Sequence, residues 1–596
     1  MPQAADFAVL CHFFHFHGRK FSGFSHKNSG ARINLNQIKS AFVCGEDRRL
    51  PYFAEKAGMD MFMQNSENDT GHTVLTKAYE GSATKEISAD YNLPDYLPDI
   101  NRLLKVSAKL AESSKYLSGD MLEYDGKAKF YIIYATSDGK IKSADFDADF
   151  SGNAAVSGAS GDCDILFEPE IASVSCRLQN PRKLTAKAKI DAAASVMCRT
   201  STVPTVSGRL TSDEEAALQD RTRAIESIVE FDAEELATPV SEDIELDAAM
   251  PAIEDIIAVE LDPYISDMRA GENKVSYKGD IVASILYLAK TERTGDEETP
   301  APAQYVAFAR KVPISGEIAV QGVTEACVPI ASVKTDNLEF RPQENSLGES
   351  RTVELDFDYS VFARVFCNEE NEITTDMYST DYESAEETET LEYETVQYAK
   401  AFNFSADGST PRDDTDFDEI VATTATASVE SVEKQGGKLI FTGNADVSVI
   451  LTNGAGVYLS RSYTIPFRAQ TDAGRIGDDF HYIANAFVMS AVSRLDENNI
   501  YSDLEILITY VIFEKHAEEM IRQSNVYKDK PIAREASASL TLYYPTSSDT
   551  LWDIAKKYGT TVPEIMAANG LSADTASGVL VIPKRGTGKP KYSKII

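Results

Sequence analysis

Residues 122–134 read LEYDGKAKFYIIY, and counting by twos gives Leu122, Tyr124, Gly126, Ala128, Phe130, Ile132 and Tyr134. One face is apolar throughout, the period-two signature of a half-buried strand. The pattern returns twice. VSYKGDIVASILY places Val275, Tyr277, Gly279, Ile281, Ala283, Ile285 and Tyr287 on one face. LIFTGNADVSVIL does the same with Leu439, Phe441, Gly443, Ala445, Val447, Val449 and Leu451. A glycine on the apolar face is expected to mark a bend or bulge in a tightly curved core.

Working outward, each glycine follows a second shared element by 28 positions: PDINRLLKV from Pro98, PAIEDIIAV from Pro251 and TDFDEIVAT from Thr415. The glycines themselves are 153 and 164 residues apart. Fixed local spacing with variable separation is what repeated domains produce. The upstream element reads as one helical turn entering a strand. Each unit closes on a long alternating stretch, at 183–198, 351–367 and 499–513, with shorter strands at 145–150, 312–315 and 463–467 between. The expected fold is mainly β, with three repeated modules at 61–205, 206–372 and 373–530, each a sandwich or open barrel.

The chain of 596 residues carries 58 basic and 94 acidic residues, a net charge of −36. That balance argues against nucleic acid or an anionic membrane as the main partner. No apolar run approaches the ~20 residues of a membrane span. The N-terminal stretch has neither a basic leader nor a small-residue cleavage site, so no secretory signal is expected. Cys11, Cys44, Cys163, Cys176, Cys198, Cys327 and Cys367 lack CxxC spacing. They are expected to be reduced, mostly buried thiols rather than a disulfide framework or zinc site.

CHFFHFHGRKFSGFSH gathers four of the seven histidines near the start, but its spacing fits no zinc pattern. Residues 1–60 are read as a disordered or non-native extension, with Met59 or Met61 a more natural start. DFDADF (145–150) and DTDFDE (414–419) lack the glycine and distal glutamate of an EF-hand loop and are read as strands with one wet face. The acidic run DYESAEETETLEYE (381–394) is read as a solvated face or linker. No G-x-S-x-G elbow, phosphate loop or HExxH is present, and His481 and His516 have no evident nucleophile or carboxylate partner. Neither an enzyme nor a cofactor is expected.

The segment 538–585 reads differently. LTLYY (540–544) alternates like a strand, and Asp549 or Thr550 can cap a helix that Gly559 ends. Thr561 and Glu564 form a capping box with Pro563 in the first turn, and that second helix, burying Val562, Ile565 and Met566, stops at Asn569-Gly570. GVLVIP (578–583) returns as a strand, giving a βααβ order before a basic tail (586–596).

This order, with DTLWDIAKKYG, NGL and G-x-L-x-IP in sequence, resembles a LysM module. The tripled Y-x-G strand and LPDYLPDINRLL (93–104) resemble SPOCS domains over residues 70–515. The two together resemble the SipL-type coat morphogenetic proteins of clostridia. That resemblance implies a spore coat scaffold in the mother-cell cytoplasm at the forespore surface. It implies a LysM that docks onto a coat-basement ATPase of the stage IV sporulation type, alongside other coat proteins. LysM modules also bind N-acetylglucosamine polymers, as in peptidoglycan. The implied groove is Ser548, Asp549, Thr550 and Leu551, then Asn569, Gly570, Leu571 and Ser572. Serine stands at Ser548 where that family usually has glycine, which implies weak sugar affinity. Trp552 is read as a packing residue at the helix edge, and with Tyr558 and the basic tail as part of a face open to a protein partner.

Overall fold

The structure is a computed structural model that describes residues 72–583 except 157–162, 208–209, 212–216, 291–302, 413–415, 454, 533–539 and 574–577. The N-terminal extension with its histidines, Cys11 and Cys44, and the basic tail, therefore lie outside the described residues.

Each repeat folds as two packed sheets, each built on three antiparallel strands. In the first, β1 (Thr73–Asn92), β6 (Lys183–Ser201) and β5 (Cys163–Asn180) form one sheet in that order. Its second sheet is β2 (Ile100–Ser118), β3 (Met121–Thr136) and β4 (Ile141–Ala155), with β7 (Thr205–Ser207) following the sandwich. The second repeat pairs β8 (Leu218–Glu245), β13 (Ser350–Ser379) and β12 (Val328–Glu344) over β9 (Ile253–Gly271), β10 (Lys274–Ala289) and β11 (Tyr305–Ala319). The third pairs β14 (Tyr382–Pro411), β19 (Asn499–Pro531) and β18 (Phe480–Leu495) over β15 (Glu419–Gln435), β16 (Lys438–Thr452) and β17 (Tyr458–Asp472). The described chain is 78% strand and 3% helix, so the mainly-β reading holds, and each module is a sandwich.

The period-two faces of β3, β10 and β16 line the three cores. In the first core the bulky Tyr124, Phe130 and Tyr134 meet Ala186, Ala188, Ala192 and Ala194 of β6. Large residues on one sheet against small ones on the other let two flat layers interdigitate. The tyrosine that ends the β3 face donates to the Pro98 carbonyl at 3.1 Å, and its counterpart Tyr287 donates to Pro251 at 2.9 Å. Leu451 holds that place in the third unit, where no phenol needs an acceptor.

Three local readings are corrected. The turns before β2 and β9 are reverse turns, closed by Leu97 N–H to Pro94 and Met250 N–H to Asp247, not helical turns. The bulges that accompany the repeat glycines sit on the neighbouring strand, where Ala111, Ser266 and Glu430 are the extra residues. At Gly279 and Gly443 a Cβ would overlap the carbonyl oxygens of Tyr264 and Ser428. Glycine is needed there for close approach of two backbones.

The cysteines are the third correction. Cys163–Cys198 and Cys327–Cys367 are disulfides, and of the described cysteines only Cys176 is free, half-buried in the first sandwich. Cys163 and Cys198 are direct cross-strand partners, and Cys327 precedes the pair Val328–Phe366. Register brings together residues 35 and 40 positions apart. Phe480 and Glu514 hold the corresponding pair in the third sandwich.

The sandwiches close on one another with threefold regularity. Strand β4 lies against β9, β11 against β15, and β17 against β2. One junction gathers three matched triplets: Leu104, Ile257, Val421; Ile133, Leu286, Ile450; and Ile141, Tyr305, Tyr458. Tyr305 accepts from Ile141 N–H at 2.7 Å, Tyr458 donates to the Ala303 carbonyl at 3.1 Å, and Arg102 donates to the Tyr458 carbonyl at 3.2 Å. The second junction gathers Met197, Phe366 and Phe513, which occupy one position of β6, β13 and β19.

Beyond the sandwiches β8–β13 and β14–β19 continue as paired ribbons that pack together through Ile225, Ile373, Leu391, Tyr393 and Met520. The acidic run forms the start of β14 and alternates exposed and half-buried until Leu391. The divide at 372/373 falls within β13, whose ladder with β8 runs on to Ser379. The divide at 205/206 falls within β7, which pairs with β19.

Candidate functional site: the LysM module and its seat

The C-terminal module consists of β20 (Leu540–Tyr543), α1 (Leu551–Tyr558), α2 (Val562–Asn569) and β21 (Leu580–Pro583). Thr550, not Asp549, caps α1, its hydroxyl accepting from Asp553 N–H at 3.1 Å. Thr561 and Glu564 complete the capping box on α2. Gly559 and Gly570 end the two helices at φ near +62°, a conformation that favours glycine. Leu551, Ile554, Ala555, Ile565, Leu580 and Ile582 form the core, with Val562 and Met566 half-buried against it.

The expected groove residues divide into two groups. Asp549 accepts from the Tyr543 hydroxyl at 2.9 Å and Thr546 N–H at 2.7 Å, and the Thr546 amide and Tyr543 phenol hold its carboxyl below the usual range. Asn569 latches α2 to β21, donating to the Ile565 and Val581 carbonyls and accepting from Val581 N–H at 2.7 Å. Leu551 is core, and Leu571 packs against it. Ser548, Thr550, Gly570 and Ser572 remain exposed at the loop tips.

Trp552 is not on an open face. Its indole N–H donates to the Asp376 carboxylate of β13 at 2.7 Å, and Lys556 donates to the other oxygen at 2.6 Å. Tyr378, two residues on, is buried in the LysM core, stacks edge-on with Trp552 at 5.0 Å and donates to the Thr560 carbonyl at 2.8 Å. Burial pushes the Asp376 carboxyl up, but Lys556 and the Trp552 indole outweigh it and hold it below the ordinary value. The end of the β13 ribbon thus holds one face of α1, and no motif in the segment around Asp376 and Tyr378 announces that role.

His481 has carboxylate partners that the sequence did not show, Glu394 and Glu80, brought to it from β14 and β1 by the packing of the sheets. His481 lies 3.3 Å from Glu394, and His516 bonds the Thr395 hydroxyl at 2.9 Å while stacking on Tyr393. Asp145, Asp147 and Asp149 are exposed along one face of β4, as a half-wet strand requires. Among the described residues no group of three or more His, Cys, Asp or Glu side chains is placed to hold a metal. No described helix is long and apolar enough to cross a membrane.

The family described as "SipL, SPOCS domain" matches residues 99–179 and 252–342, running from β2 into β5 and from β9 into β12. The LysM domain family matches residues 546–579. None of the curated proteins and none of the solved structures compared matches the chain. Repeated β sandwiches bearing a LysM module define a protein built from non-catalytic binding domains. The matches support a SipL-like SPOCS/LysM protein, and SPOCS and LysM domains together suggest a sporulation coat protein with a module of the peptidoglycan-binding type.

Proposed function

We propose that the protein is a non-enzymatic scaffold of spore coat assembly. It acts in the mother-cell cytoplasm at the forespore surface, where its LysM module docks onto a coat-basement ATPase and its sandwiches meet other coat proteins. The observation that carries this reading is the seating of α1 on β13 through Asp376 and Tyr378. A module fixed to a rigid platform presents its loop tips in one orientation, which suits a single protein surface. A lone glycan-binding module gains more from flexible, repeated copies acting through avidity. The rival reading is that the groove holds N-acetylglucosamine polymers of wall or cortex, which the LysM match itself favours.

The experiment uses the full chain with Ser548→Arg and Ser572→Arg, two exposed positions whose side chains do not enter the module's core. Capture of the coat-basement ATPase should fall at least about tenfold, the scale of one lost interface anchor, with the thermal midpoint unchanged. Undiminished capture, or saturable binding of chito-oligosaccharide tighter than that of the ATPase, reverses the ranking.

A further inference from the structure

We infer that Cys163–Cys198 is a redox clasp at the contact of the first two sandwiches, opened by small thiols and closed by small disulfides, while Cys327–Cys367 is a permanent staple. The two bonds hold matched places. Cys198 and Cys367 directly follow Met197 and Phe366 of the second junction, and Cys163 and Cys327 stand at the start of the edge strands β5 and β12. Phe480 and Glu514 fill both places in the third sandwich, so the fold itself does not require a bond there.

Their surroundings separate the two bonds. Cys327 and Cys367 are 7% and 6% exposed. A turn closes on the Cys327 sulfur, which accepts from Thr324 N–H at 3.4 Å and lies 3.7 Å from the Thr324 hydroxyl. Cys163 is only half-buried, opens β5 on a free sheet edge and is followed by the exposed Asp164. Exchange requires a thiolate to reach one of the two sulfurs, so the first bond answers to thiols in the medium and the second does not. A glutathione thiolate attacks the Cys163 sulfur; the S–S bond breaks, and its electron pair goes to the Cys198 sulfur, which takes a proton. A second glutathione thiolate attacks the glutathione sulfur of the mixed disulfide, and Cys163 leaves and is protonated. Two glutathiones thus become one glutathione disulfide as the pair gains two electrons, and the reverse sequence closes the clasp.

Opening reaches the second sandwich through Asp164. Its carboxylate pairs with Arg199 of β6 at 3.3 Å. It also acts on Glu230 of β8, which pairs with Arg364 of β13 at 2.6 Å beside Asp232. Burial pushes the Glu230 carboxyl up to about 7; Arg364 and Lys115 of β2 draw it down, while Asp232 and Asp164 push it further up. The closed bond fixes Asp164 at this contact. Once it opens, the start of β5 is held by the ladder of one neighbour at a sheet edge, the kind of segment that frays. On the location proposed above, the clasp stays open while the protein assembles among cytoplasmic thiols, though the chemistry does not depend on that location.

The test uses the full chain at neutral pH in glutathione buffers, with free thiols identified by alkylation and mass spectrometry. The first pair should reduce and reoxidise in the folded protein at least about tenfold faster than the second. Its reduction should raise hydrogen exchange at residues 163–167 and 228–232 and leave the LysM module unchanged. Cys163→Ser combined with Cys198→Ser should show the same raised exchange without reductant. A first pair that reduces only when the chain unfolds overturns the inference. So do two pairs that reduce at one rate, or a reduction that leaves exchange at 228–232 unaltered.

Discussion

Gly279 leaves no room for a methyl group, because the carbonyl of Tyr264 on the adjacent strand occupies the place a Cβ would take. Backbone cannot yield as a flexible side chain can. Gly279→Ala should therefore cost about 3 kcal/mol or more, the upper range for overpacking a core, read as a lowered denaturation midpoint. The same substitution at Gly348, where nothing lies within 4 Å of the added carbon, is strained only through its positive φ and should cost less. Equal losses at the two sites would show that close approach is not what selects glycine. The period-two pattern placed these glycines on the apolar face correctly but assigned the bulge to the wrong strand. A bulge is a property of a pair, and one strand's sequence does not display its partner's extra residue.

Helix α1 is held by β13 through one carboxylate and one tyrosine, and the chain reports on that contact with its own probe, because Trp552 is its only tryptophan. Asp376→Ala removes the acceptor for both the indole and Lys556. The indole should then move into water, with a red-shifted emission and a loss of about 1–2 kcal/mol, discounted for the partial exposure of the pair. An unchanged spectrum would mean that Tyr378 alone seats the module. The caps and core of the βααβ element were legible because capping boxes and terminal glycines act within four or five residues. Trp552 packs, but on β13 through a partner 176 positions away that could not be seen, so the face expected to be open there is covered.

The closure of the first sandwich on the third runs through a half-buried charge cluster. Glu394 lies 3.0 Å from Lys77 and 3.3 Å from His481, while Glu80 reaches both Lys77 and His481. Burial pushes the Glu394 carboxyl up, but His481 and Lys77 outweigh it and bring it down to about 2 from 4.5. A carboxylate depressed on folding adds stability that is present above its unfolded value and lost as pH falls through the folded one. The loss, on the order of 3 kcal/mol, belongs to the window from about 4.5 down to about 2. Thermal midpoints taken across that window should fall steeply for the wild type and more gently for Glu394→Gln. A slope identical in both would place acid sensitivity elsewhere.

Alternation, fixed spacing and capping residues, all local, determined three β repeats and a small helical module, together with the residues of each core. Part of the rest left traces in sequence: the terminal stretches 183–198 and 351–367 both end in cysteine, and Leu104, Ile257 and Val421 recur at the spacing of the repeat glycines. Only tertiary structure decided what those traces meant. Periodicity shows that a face is buried, not against what. Register pairs Cys163 with Cys198, the junctions gather one residue from each sandwich, and β13 seats α1. Each of these is a contact between segments far apart in the chain, set by how whole sheets pack rather than by any residue's neighbours.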